Sequence, residues 1–354
     1  MEKTKAVVLK EPGKVKVEVI PIPKLGGPTR LMRVKACGVC GSDLRYARGE
    51  NSWALLTLGK GNVPNPPNII LGHEMAGVIQ DNGKERPIHA NTRKGCQVCE
   101  YCMGGSEELC PNLKHFGHGA AWGKMDYYPG GMAEYTEVWE DRIHFLPEDI
   151  DFEAAALIEP TSIAVHSLRS GGLQPGQEVA VIGLGPVGLL TVQVVKRCGA
   201  GRIFGIDIDH TPLKTAEQLG CDVVINSREL DPLQGIKEGT RGKGVDLVLS
   251  SVDNPQDIGK ALSMVKRGGT LVLQYGPHGD LVLPFTDMCG ERKILTVVGY
   301  TEAEQAFSIK LISDCHINHK ALITHRFSLD EVEQAFEVAA HKEKYKAITV
   351  MMIP

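Results

Sequence analysis

The sequence carries no surplus of charge, since 39 Lys and Arg face 43 Asp and Glu, a formal net charge of −4. A nucleic-acid binder advertises itself by a basic excess, and none is present. No run reads as a membrane span either. The longest apolar stretch, Val179 to Val195, holds four Gly or Pro residues in its first ten positions and carries Thr191 and Gln193, which fits strand, turn and helix better. The opening Met1 to Lys5 leads into Ala6-Val7-Val8-Leu9 and stops at Lys10, without the length or small-residue cleavage site of a secretory signal. A cytoplasmic protein with reduced thiols is expected. Ten cysteines are too few for a disulfide scaffold of 354 residues, and the 40 glycines and 20 prolines follow no period, which excludes collagen-like and low-complexity chains.

What remains is ordinary globular composition, 42% hydrophobic and 23% charged, and a length that suggests two domains at roughly 150 residues each. The first 150 residues alternate short β-type runs such as Lys14 to Val19 with turn clusters such as Gly26-Gly27-Pro28, the texture of an antiparallel β domain. From about Gln177 the texture changes. Runs at 178–182, 202–207, 223–225, 245–249 and 269–273 are separated by helix-length segments, which predicts an α/β, doubly wound parallel sheet. Near the end, Ser328 and Glu331 form a capping-box pattern for an amphipathic helix to Ala340, and a strand is expected over 347–352.

The strongest local motif is Gly183-x-Gly185-x-x-Gly188, which follows a strand and opens a helix, with Asp207 at the end of the next strand. Glycine lets the backbone turn tightly against a pyrophosphate whose charge rests on the helix N-terminus, where Pro186 and Val187 also lie. A carboxylate at Asp207 accepts hydrogen bonds from ribose hydroxyls and repels a 2′-phosphate, so NAD is expected over NADP. The second motif is Cys96-x2-Cys99-x2-Cys102-x7-Cys110, four thiolates that can close tetrahedrally on one structural zinc. An iron–sulfur cluster uses a related run, but with a gap of three where this chain has seven. Spacing assigns nothing to Cys40, His73, Glu74 or Glu159, which lie tens of residues apart.

Together with Gly72-His73-Glu74, Cys40-Gly41-Ser42-Asp43, Glu159-Pro160 and Thr324 to Leu329, these motifs make the chain resemble the zinc-dependent medium-chain dehydrogenase/reductase superfamily. Within it the chain is similar to the sorbitol (polyol) and threonine dehydrogenase branch. The resemblance covers nearly the whole chain and implies a mainly β, GroES-like catalytic domain at 1–160 with a zinc lobe at 95–111. It also implies a Rossmann domain at 161–299 and a return to the catalytic domain at 300–354. It implies a catalytic zinc held by Cys40, His73 and Glu159, with Glu74 as a direct or alternating ligand, hence two zincs per chain. Asp43 would fix a ligand histidine's tautomer, and Ser42 would take the proton of a small-molecule alcohol whose hydride passes to NAD. A homodimer or homotetramer is the family expectation, and a threonine 3-dehydrogenase-like enzyme and a non-catalytic NAD-binding sensor are the alternatives.

The chain departs from that pattern in places. The interval 51–68 is long and is expected to line or cover the substrate pocket, while the stretch from His73 to Cys96 is short and is expected to have lost local β structure. Arg45 stands where relatives often carry a relay histidine. His115, His118 and His144 are expected as ordinary polar packing, and Cys198, Cys221, Cys289 and Cys315 as small buried hydrophobes.

Overall fold

A computed structural model describes residues 2–60, 63–275 and 280–354. They form two compact units, the first comprising Met1–Glu159, Ser308–Cys315 and Ile323–Pro354, the second Pro160–Phe307 and His316–Leu322. The chain therefore re-enters the first unit in two passes, at Ser308 and at Ile323, where a single return at residue 300 was expected.

In the first unit, Thr29–Gly38 shows why β structure forms there: Met32, Val34 and Ala36 alternate inward while Leu31 and Arg33 do not, the period of a half-buried strand. It pairs antiparallel with Glu74–Asp81, with Tyr135–Trp139 and with Thr349–Ile353. The last of these lies between Thr29–Gly38 and the parallel strand Ile323–Ser328. The interval after His73 has not lost its β structure. Glu74–Asp81 and Lys84–Ala90 make a hairpin through Asn82 and Gly83, both at positive φ (50° and 79°), which is the two-residue turn whose twist matches the strands. The Ser328–Glu331 capping box is present and leads through a 3-10 turn into helix Val332–Ala340.

The second unit carries a six-stranded parallel sheet in the spatial order 223–226, 202–207, 178–182, 245–250, 265–273, 293–296. Strand order reverses between Glu178–Ile182 and Val245–Ser250, the switch point where such sheets bind ligands. The edge strand Lys293–Thr296 has no counterpart among the sequence expectations, because four residues of mixed polarity give no periodic signal. Of the four cysteines expected to be buried, Cys221 is, whereas Cys198 and Cys289 are partly exposed and Cys315 faces solvent in a left-handed turn. No described helix is long and apolar enough to cross a membrane.

Candidate metal and dinucleotide sites

Cys40 is the N-cap of helix Gly41–Arg48, and Asp43 in its first turn reaches back so that Oδ2 accepts from the Cys40 N–H at 2.9 Å. The other Asp43 oxygen accepts from the Gly72 N–H, also at 2.9 Å. One buried carboxylate thus ties the loop bearing Cys40 to the loop bearing His73 and Glu74. Ligand atoms of these three residues lie within 4.8 Å of one another. Glu74 opens its strand with its carboxylate against Gly38, where an added Cβ would stand 2.2 Å from Oε2. Glycine is required there to leave the carboxylate its place.

Burial dominates the electrostatics. It pushes the Glu74 carboxyl well above the usual carboxylate range, with Cys40 adding to the effect, and it raises the Cys40 thiol, helped by Asp43. A thiol and a carboxyl driven toward neutrality by desolvation, crowded with an imidazole, form a donor set suited to a divalent cation, and sulfur, nitrogen and oxygen donors suit zinc. Glu159, buried in the first turn of helix Ile158–Gly171, is not part of this tight set, although its charge is felt by both Cys40 and Glu74. The Ser42 hydroxyl is buried beside Cys40, whose thiolate form it favours against the larger effect of burial.

Asp43 and His73 face each other, as the resemblance implies, but without a direct hydrogen bond. Asp43 Oδ1 is 3.9 Å from His73 Nδ1, beyond hydrogen-bond reach, and that nitrogen has no partner among the described residues. The residues that do touch His73 were expected to be mere packing. The His115 and His118 rings lie 5.0 and 5.2 Å from it, with the two Nδ1 atoms 3.2 Å apart. Burial drives both imidazoles well below their ordinary pKa, so both are neutral. No spacing in the sequence links positions 115 and 118 to position 73; only the fold does. Behind them Tyr46 stacks on His118 at 4.5 Å. Part of the long interval 51–68 is a helix, Ser52–Leu58, capped by Asn51, with Trp53 and Ala54 buried; Gly61 and Asn62 lie outside the described residues.

The four-cysteine lobe is the other cluster. Cys96, Cys99, Cys102 and Cys110 have all four sulfurs within 4.8 Å of one another. Cys99 and Cys110 sulfurs are 3.7 Å apart. Four thiolates at about 2.3 Å around one tetrahedral ion stand about 3.8 Å apart, so the lobe fits a single zinc. Glu107 braces it, accepting from the Gly95 N–H at 2.5 Å and from the Arg142 guanidinium at 2.7 and 2.9 Å.

In the second unit, Gly183 adopts φ 81° and Gly188 packs so closely that a Cβ would stand 1.9 Å from the Gly183 carbonyl. Gly185 caps helix Pro186–Arg197 with Pro186 in its first turn. Asp207 Oδ2 accepts from the Leu184 N–H at 2.6 Å while Oδ1 accepts from Ile208 and Asp209 N–H groups, which holds the carboxylate beside the glycine turn. These are the features of a dinucleotide cradle.

A β-rich unit holding two zinc-type clusters and a parallel-sheet unit with a dinucleotide turn define a zinc-dependent oxidoreductase. Residues 28–148 match the alcohol dehydrogenase GroES-like domain and residues 186–314 the zinc-binding dehydrogenase domain. The chain is 32% identical to the sorbitol dehydrogenase of Bacillus subtilis (strain 168), covering 99% of this chain and 97% of that one. It is 31% identical to the L-threonine 3-dehydrogenase of the same organism, over 98% and 99% of the two chains. A zinc-binding dehydrogenase of Sinorhizobium meliloti 1021, solved with NADP, superposes with a TM-score of 0.87 at 25% identity over the full length of both chains. The chain belongs to the zinc-binding dehydrogenases of the medium-chain superfamily.

Proposed function

We propose that this dehydrogenase oxidises a secondary alcohol of a polyol, sugar or related hydroxylated small molecule, with NAD as hydride acceptor. The observation that carries the reading is the buried convergence of Cys40, His73 and Glu74 beside the buried Ser42 hydroxyl. Cys40, His73 and Glu74 would hold the catalytic zinc, with Glu159, whose charge is felt at Cys40 and Glu74, as the ligand alternating with Glu74, and the four-cysteine lobe would hold a second zinc. When bound, zinc supplies the Lewis acidity that lowers an alcohol's pKa, and the dinucleotide supplies the two-electron acceptor. Ser42 Oγ is the group placed to hold the proton the alcohol loses. Arg45 does not carry it onward, because a guanidinium keeps its protons in proteins.

Asp207 and Asp209, two carboxylates at the turn after the second strand of the sheet, favour a ribose hydroxyl and oppose a 2′-phosphate. A β-hydroxy amino acid is the second reading, favoured by the likeness to the threonine dehydrogenase. Metal analysis with a reduction screen of NAD and NADP over polyols, sugars, threonine and simple secondary alcohols tests these points. The expected result is about two zincs per chain, NAD preferred and a polyol or sugar oxidised. Cys40→Ser should lose one zinc and all turnover while still binding dinucleotide, and substantial turnover in that variant overturns the assignment.

A further inference from the structure

We propose that His115 and His118 are positioning residues for His73, fixing its ring in the place where a hydrogen-bonded carboxylate commonly does so. The proposal rests on the reading of Cys40, His73 and Glu74 as metal ligands. A ligating histidine needs its ring held before the metal arrives, because an imidazole turns about its outer torsion at little cost. Asp43 faces it without a hydrogen bond. Both Asp43 oxygens are committed to the backbone N–H groups of Cys40 and Gly72, and the nearer one is 3.9 Å from His73 Nδ1.

The two histidines supply the missing constraint. Their rings close on His73 from two directions, His115 at 56° and 5.0 Å, and His118 edge-on at 81° and 5.2 Å. Each is itself held. The 3.2 Å contact between their Nδ1 atoms requires one N–H and one bare nitrogen, so each ring sets the tautomer of the other. The His115 carbonyl accepts from Trp122 Nε1 at 3.0 Å. His118 stacks on Tyr46, whose hydroxyl donates to Asn51 Oδ1 at 2.8 Å, and the same oxygen caps helix Ser52–Leu58 by accepting from the Ala54 N–H. Asn65 Nδ2 donates to the Tyr46 carbonyl. A continuous line of contacts therefore runs from the long 51–68 interval through Tyr46 and His118 to the metal-ligand ring. The interval braces the metal site from behind.

The test is cobalt substitution with chelator competition, in which the four-cysteine lobe is an internal control. In the wild type two cobalt ions bind, with distinct visible bands. His118→Leu, which fills the space without a flat ring, should weaken the ion at Cys40, His73 and Glu74 by about tenfold and shift its bands, leaving the lobe's bands and Tm unchanged. His118→Phe keeps a ring against both Tyr46 and His73 and should restore most of that affinity. Wild-type affinity in His118→Leu overturns the proposal, and so does an equal loss in His118→Phe, since the ring would then be irrelevant. A wild-type protein that binds cobalt at the lobe alone overturns instead the ligand reading beneath it.

Discussion

The two candidate zinc clusters present opposite solutions to holding the same ion. Cys40 comes from one loop and His73 and Glu74 from another; all three sit in or beside the core, and burial drives the Cys40 thiol and the Glu74 carboxyl toward their protonated forms. The four cysteines come from one segment of fifteen residues near the surface, and their thiols split: bonding to the Val98 and Cys99 backbone N–H groups lowers Cys96 to about 6, while burial pushes Cys102 to about 12. A cluster assembled from distant loops depends on the fold for its geometry. A cluster contained in one loop gives geometry to the fold, because that segment leaves its apolar side chains Val98, Tyr101, Met103 and Leu109 exposed and so gains little from burial.

The largest contrast should appear on breaking one ligand in each. Cys110→Ser is expected to lose one zinc and lower Tm by about 10 °C, whereas Cys40→Ser loses one zinc with Tm nearly unchanged. Equal shifts in calorimetry would erase the distinction. A smaller effect separates two glycines that make room for a ligand. Gly38→Ala drives a Cβ into the Glu74 carboxylate and should weaken the buried zinc about tenfold, and Gly95→Ala, whose Cβ would stand 2.7 Å from Cys102 Sγ, should weaken the lobe instead. Metal content after graded dialysis against chelator reads both. The smallest effect is chemical. In the metal-free protein, iodoacetamide should modify Cys96 first, with a rate that rises through pH 6, while Cys40 and Cys102 stay protonated and slow at neutral pH. Peptide mapping of the alkylated sites would show a different order if the environments were alike.

This contrast also explains what could be read from the sequence. The four cysteines and the glycine turn lie within short segments, so their spacing carries their geometry, and the strand and helix around Gly183 follow from periodicity. Cys40, His73 and Glu74 are joined only by tertiary structure, and the family resemblance, not spacing, connected them. His115 and His118 had no such guide, because only the folded chain brings them against His73. The hairpin at 74–90 is hidden from the sequence although Asn82-Gly83 is a turn signal, since Glu74 to Ile79 are buried on both faces and show no alternation.

The place of Thr349–Ile353 bears on the order in which the molecule assembles. Met351 pairs with Gly38, so a central strand of the first unit's sheet is made only after almost everything else has been synthesised. The parallel sheet of the second unit lies within one continuous stretch and needs no such late arrival. During translation the dinucleotide cradle can therefore fold while the metal-binding half still waits, the Cys37–Gly38 end of its strand, beyond the stretch that Tyr135–Trp139 covers, unprotected until residues 349–353 emerge.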